Sequence, residues 1–297
     1  MEKHFLLAIG DDQSSFLAGR FINHFFLHKH HIRLTLLYVA PQPPSVYLDD
    51  SDVYQRKKWT DGWKKAQQQR ADELLEKGRA MLVSSGFSSS NVATKFIYSQ
   101  FGSAKDLIQE CAKGHYDALV LGRRGLSRFE ELFVDSVTKS IMNEDLSFPI
   151  WVCQRTESKR RNVLVAVDGS EPCVQIADHV GFVMADQPDH SVVLAHVNGD
   201  SSTPDPDAHS FFDHALTSVL NNGVSRERIQ TKILQSSKPA QALLQEAENG
   251  RYAVVAVGRT GTSAPGFFSM GSVSRTLLAK LDGAALWVSP STCRLSE

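Results

Sequence analysis

Hydrophobic positions in this chain come as short, nearly continuous runs, each followed by a longer stretch in which apolar residues recur at helical spacing. The runs cover residues 5–9 (FLLAI), 33–39 (RLTLLYV), 95–99, 117–121 and 149–154, and then 163–167, 191–197, 230–234, 252–257 (YAVVAV) and 284–289. Each is too short for a typical helix and predicts a strand, and 5–9 and 252–257 are apolar enough to predict buried parallel ones. Between them the spacing predicts helices over 14–28, 104–113, 136–143, 172–184, 211–221 and 239–248, and one opening at Ser272. In the first of these, Phe16, Phe21, Phe25 and Phe26 supply the apolar face. Strands alternating with helices of this length specify an α/β fold with a doubly wound parallel sheet.

The pattern occurs twice. A shift of 136 positions lays YDALVLGRRG (from Tyr116) on YAVVAVGRTG (from Tyr252), and DSVTKSIM (from Asp135) on GSVSRTLL (from Gly271). The same shift lays PIWVCQ (from Pro149) on ALWVSP (from Ala285). At the front of each half FLLAIGD (from Phe5) matches VLVAVDG (from Val163) at an offset of 158, so the first half carries 22 more residues (158 minus 136). Two copies of one five-stranded, Rossmann-like unit are therefore expected. The first spans 1–154 with an insertion at about 44–70, and the second spans 163–290. The insertion falls in the turn-rich PQPPSVYLDDSD and the start of a polar, Gln- and Lys-rich helical pattern over 54–84, interrupted by Gly62 and Gly78. The charged connector 155–162 (RTESKRRN) reads as a solvated joint, and 290–297 as a loose tail.

Composition narrows the function more than it names it. The 297 residues are 42% hydrophobic and 22% charged with a formal net charge of -1, which points to neither a nucleic-acid nor a membrane partner. No apolar run approaches the ~18–20 residues that span a bilayer. The opening MEKHFLLAIGDD does not read as a secretory signal. Cys111, Cys153, Cys173 and Cys293 lack C-x-x-C spacing and read as reduced thiols of a cytoplasmic protein, with Cys111 and Cys153 buried.

The chemistry concentrates between Gly258 and Ser272, G-R-T-G-T-S-A-P-G-F-F-S-M-G-S, which lies between a buried strand and a helix. Glycines let backbone approach a ligand, and the amides opening a helix attract anions. Ser272 is placed to cap that helix or to meet a phosphate. The loop has neither the Lys-Ser/Thr ending of a P-loop nor a compact G-x-G-x-x-G. Ligands of such sheets sit beyond the carboxyl ends of the strands, where strand order reverses. Asp168 (in V-D-G-S), His196-Val197 and Gly258 should converge there; an N-cap or turn role is the plainer reading of Asp168.

The spacing G-x2-G-x9-G-S resembles the signature of the ATP-binding branch of the universal stress protein family, and the likeness covers both halves. The resemblance implies a tandem protein of that family, with Asp168 near the nucleoside and the backbone of Val197 on adenine. Gly258, Arg259, Gly261, Gly271, Ser272, Val273 and Ser274 would then hold ribose and phosphates. The implied cofactor is ATP, with Mg2+ as a candidate companion. It also implies pairing of the two halves through their fifth strands, PIWVCQ and ALWVSP, covering edges otherwise open. A further homodimer stays open.

The first half departs from that pattern. Gly122 and Gly125 are kept, but Asp135 stands where the second half has Gly271, and Gly10 followed by Asp11 stands at the Asp168 position. A carboxylate ~4 Å from a phosphate at an effective dielectric of about 20 costs on the order of 4 kcal/mol. That is about three decades of affinity, which Arg123, Arg124 and Arg128 could offset only in part. The first half is expected to be empty or to take something other than ATP. The histidines 24, 28, 30 and 31 read as surface and helix-end residues, and Trp59 and Trp63 as a helix covering its own domain. No Ser/His/Asp set or paired carboxylates mark a hydrolase. The leading expectation is a nucleotide-gated regulatory module of stress response. Its alternatives are a slow ATPase or phosphotransferase relying on Ser272, Asp168 and a bound cation, and a binding protein for a non-nucleotide ligand in the first half.

Overall fold

The computed structural model describes residues 1–45, 53–123, 136–199, 207–261 and 270–291. Gly125, Arg124, Arg128, Asp135 and Cys293 lie outside the described residues, as do positions 46–52 of the insertion.

The apolar runs become ten strands: β1 (Lys3–Ile9), β2 (Ile32–Ala40), β3 (Val92–Tyr98), β4 (Ala118–Gly122), β5 (Ile150–Cys153), β6 (Val163–Val167), β7 (Val192–Asn198), β8 (Ile229–Gln235), β9 (Val254–Val257) and β10 (Ala285–Val288). They form one sheet in the order β3-β2-β1-β4-β5-β10-β9-β6-β7-β8. Neighbours within each half are parallel. The halves meet where β5 and β10 run antiparallel, with Trp287 opposite Trp151. The two indoles stack at 4.0 Å between centroids and 6° between planes, and both are fully buried.

Among the described residues, eight α-helices cover the sheet: α1 (Phe16–Phe25), α2 (Val53–Ser84), α3 (Ser103–Lys113), α4 (Ser136–Met142), α5 (Glu171–Met184), α6 (Ala208–Asn221), α7 (Pro239–Asn249) and α8 (Ser272–Lys280). Because strand side chains alternate, Phe5 and Leu7 join one core layer with α1, α2, α5 and α6, while Leu6 joins the other with α3, α4, α7 and α8. Both layers run through both halves, so the interface is core rather than seam. Cys111, Cys153 and Cys173 are all buried.

Three expectations need correction. The helix predicted from residue 14 to 28 begins as a 3-10 turn, Gln13–Ser15, and α1 proper ends at Phe25. The backbone of Leu27 and His28 instead bonds Gln187 of the second half. The pattern over 54–84 is one uninterrupted helix of 32 residues despite Gly62 and Gly78. At Gly78 a Cβ would lie 3.1 Å from Leu36 Cδ1, so the missing side chain lets α2 press on β2. That packing offsets the roughly 1 kcal/mol a mid-helix glycine costs. The connector is exposed at Arg155, Glu157, Ser158, Lys159 and Arg161, as a solvated joint should be, and departs from that reading at Arg160 alone. Arg160 is buried and bonds Glu157 and Glu248 at 2.7 Å each, and Thr156 bridges to Gly283.

Candidate functional site

In the second half the chain runs β6, β7, β8 outward and then crosses back to β9 on the other side of β6. The crevice above the carboxyl ends of β6 and β9 is thus the switch point of the sheet. A cavity of about 480 Å3 opens there.

Its floor is built by close approach. β6 ends in Asp168-Gly169-Ser170, where Asp168 Oδ1 accepts from the Ser170 amide (3.0 Å) and hydroxyl (2.6 Å). Gly169 turns at φ +77°, and Ser170 caps α5 through the Cys173 amide. So Asp168 does act as a turn residue, but with one oxygen only. Its Oδ2 lies against Gly261, where a Cβ would stand 2.8 Å away. Gly258 is equally confined, a Cβ there meeting the Cys173 nitrogen and Pro172 Cβ at 3.1 Å. On β7, His196 is buried with Nδ1 2.8 Å from the Val167 carbonyl. Since a carbonyl only accepts, Nδ1 carries the proton.

The loop after β9 is braced at three points. The Gly271 amide donates to the Arg259 carbonyl (2.9 Å), the Ser274 hydroxyl donates to the Gly258 carbonyl (2.7 Å), and the Arg259 amide donates to Ser289 Oγ (2.9 Å). Gly271 is the N-cap of α8, and among the described residues no side chain caps the helix. Its first-turn residues, Ser272 to Arg275, line the cavity, and the first amides of a helix have no intrahelical partner and carry the positive end of its dipole. This is an anion-ready surface.

Of the residues singled out from the sequence, Asp168, Val197, Gly258, Gly261, Gly271, Ser272, Val273 and Ser274 all line the cavity. Three details differ from expectation. Ser272 is the first helical residue rather than the cap, and Ser274 uses its hydroxyl to brace the loop. Arg259 does not line the cavity; its buried guanidinium crosses into the first half and donates through Nη2 to the carbonyls of Met142 and Glu144 (2.6 Å to the latter). Desolvation lowers its pKa below the usual value, partly countered by Asp145. The sequence reading missed Pro239 and Leu243 of α7, which wall the cavity, and Met270 and Arg275 at the loop end of α8. Arg275 could have been suspected as a cation in the first turn after the glycines. Pro239 and Leu243 carried no local signal, because only the fold brings α7 there.

The corresponding position in the first half is smaller, about 190 Å3. There the backbone of the 3-10 turn presses on Gly122, where a Cβ would fall 2.2 Å from the Ser14 carbonyl oxygen. Asp11 is engaged by Arg70 of α2 (2.6 Å) and by the Tyr38 hydroxyl (3.0 Å). Burial and the Asp11 bond raise the Tyr38 phenol to about 12.

Comparison with known proteins bears on the fold and the family. Curated protein sequences contain no significant match to the chain. Among solved structures, the chain is similar to a universal stress protein from Archaeoglobus fulgidus DSM 4304, at TM-score 0.69 and 17% identity over 97% of this chain and 98% of that one. It is also similar to a protein of unknown function from Pseudomonas aeruginosa PAO1, at TM-score 0.54 and 15% identity over 98% and 93%. These likenesses speak for the fold. The model of the universal stress protein family matches residues 1–145 and again 159–288. Nearly the whole chain is thus accounted for as two copies of that unit, and the chain belongs to the universal stress protein family.

Proposed function

We propose that this chain binds an adenine nucleotide, ATP, in its second half and acts as a nucleotide-dependent regulatory module of stress response. The observation that carries this is the cavity at the switch point, which gathers eight of the nine residues named from the motif around an uncapped helix start. Its volume of about 480 Å3 falls within the range of small-molecule sites, whereas the 190 Å3 of the first half falls below it. Asp168 Oδ2 would accept from ribose hydroxyls, the β7 end at Val197 would lie along the base, and the α8 amides would meet phosphates. Mg2+ would arrive with the phosphates, Asp168 being the acidic residue among those lining the cavity. The protein would work in the cytoplasm, with its domains, 1–154 and 163–290, paired through their fifth strands in solution.

The test is the nucleotide content and ATP affinity of the purified protein, with Gly271→Asp beside it. About one nucleotide per chain, lost in the variant, supports a single working site. Two per chain would end the asymmetry between the halves. No bound nucleotide and no thermal shift on adding ATP would leave the fold without this function. Turnover above background that disappears in Ser272→Ala would favour the slow ATPase or phosphotransferase instead.

A further inference from the structure

The arginine that turned away from the cavity has a counterpart. Arg123 lies 136 positions before Arg259, and each follows the glycine that ends a fourth strand. Arg123 is buried and donates through Nη1 to the carbonyl of Leu278 in α8. Arg259 donates to Met142, the last residue of α4, and Leu278 is Met142 shifted by the same 136. The two halves thus exchange arginines. Each cavity's loop sends one cation to the carboxyl end of the helix that opens on the other cavity. The backbones are anchored alike, the Arg123 amide on the Cys153 carbonyl (2.8 Å) and the Arg259 amide on Ser289 Oγ (2.9 Å).

The chemistry of this exchange fits positioning better than bulk stability. A helix leaves its last four carbonyls unpaired and its C-terminus partly negative, which suits a cation. Yet burying two guanidiniums is expensive, and apolar residues of similar size often serve stability as well or better. What a guanidinium adds is several donors in one rigid plane. The two contacts bracket the candidate site. Arg259 holds the loop where it leaves β9, and Arg123 holds the far end of α8. Between those points lie Gly261, Gly271, Ser272, Val273 and Ser274. α8 is a nine-residue rod, so a shift at Leu278 is passed to the first-turn amides about 10 Å away.

Resting on the nucleotide reading above, we propose that Arg123 and Arg259 are positioning residues of the second-half site, whose affinity is therefore set in part by the first half. The test uses the full-length protein as wild type, Arg123→Met, Arg259→Met and Arg259→Lys. It reads amide hydrogen exchange without nucleotide, together with ATP affinity well below the thermal transition. The methionine variants should raise exchange at residues 270–276 about tenfold while β6 and β7 stay protected, and should weaken ATP binding about tenfold. Arg259→Lys keeps the charge without the fork and should fall between, which also serves if Arg259→Met does not fold. Unchanged exchange at 270–276 with ATP affinity within about twofold of wild type would overturn the proposal and reduce the arginines to helix caps. Raised exchange in a protein whose wild type binds no ATP would uphold the positioning and end the nucleotide reading. Unchanged exchange with normal ATP binding would do the reverse.

Discussion

The two cavities grow from the same strands, glycines and helices, yet one is about 480 Å3 and the other about 190 Å3. Among the described residues, the two differ in the first turn after the first strand of each half. In the second half, Asp168-Gly169-Ser170 leads directly into α5, leaving Asp168 Oδ2 at the cavity wall. In the first half the equivalent turn tightens to a 3-10 helix that fills the space above Gly122. Asp12, the carboxylate among the residues lining that cavity, accepts from the Ser14 amide (2.9 Å), and its neighbour Asp11 is held by Arg70 of α2. Two copies of one unit can thus differ in the space at the switch point while keeping the same fold.

The largest effect should come from Gly271→Asp, which gives the second half the first half's residue. A Cβ at Gly271 meets nothing nearer than 3.4 Å, and the backbone already has N-cap geometry (φ -61°, ψ 160°). The variant should lose about three decades of ATP affinity through charge repulsion, while an aspartate cap in place of glycine adds roughly 0.3 kcal/mol of stability. Calorimetric titration and thermal unfolding should therefore move in opposite senses. Gly271→Ala, which adds bulk without charge, should keep most of the affinity.

Next is the pair Gly122→Ala and Gly258→Ala, identical changes at matching positions. The first drives a methyl into the Ser14 carbonyl at 2.2 Å; the second meets neighbours at 3.1 Å. Losses of about 3 and about 1 kcal/mol are expected from denaturant midpoints. Equal losses would mean that the first-half turn yields as easily as the second.

A third contrast is titratable. Trp151 Nε1 donates to His179 Nε2 (3.0 Å), whereas Trp287 Nε1 has no partner among the described residues. At an offset of 158 the first half has Phe21 in place of His179. Burial lowers the His179 pKa to about 3, and it lowers that of His190, which packs against Phe25, to about 4. Below pH 6.5 the unfolded chain takes up protons that the folded one refuses. Stability must then fall as pH drops from 6.5 toward these values, by up to about 1.4 kcal/mol per pH unit for each histidine. His179→Phe should flatten the slope by one histidine's share in unfolding curves at pH 6, 5 and 4.5. The smallest effect belongs to Arg70→Ala. Its pair with Asp11 is half-exposed on both sides, so the loss should be about 0.5 kcal/mol. Freeing Asp11 should confer no nucleotide binding on the first half, by titration of a Gly271→Asp background.

The strands were readable because runs such as YAVVAV are buried on both faces, leaving no alternation to misread. The cavity's glycines were readable because close approach selects residue type. The direction of Arg259 was not, since a lone loop arginine has no period and its acceptors are carbonyls more than a hundred residues away. Gly62 and Gly78 read as breaks because local propensity disfavours them, yet at Gly78 packing on β2 overrides propensity. Arg160 read as solvated because a charge run shows neither burial nor its partners. Ser272 and Gly271 differ by one residue in cap assignment, which only backbone dihedrals decide.

The stacked indoles where β5 meets β10 give the molecule an optical reporter of its own. Trp151 and Trp287 are sealed from solvent, whereas Trp59 on α2 is 56% exposed and Trp63 partly so. Emission should divide into a blue component that resists acrylamide and a red one that it quenches. Because the stack sits in core shared by both halves, a shift of the blue component to the red would report loss of the packing between them without a label.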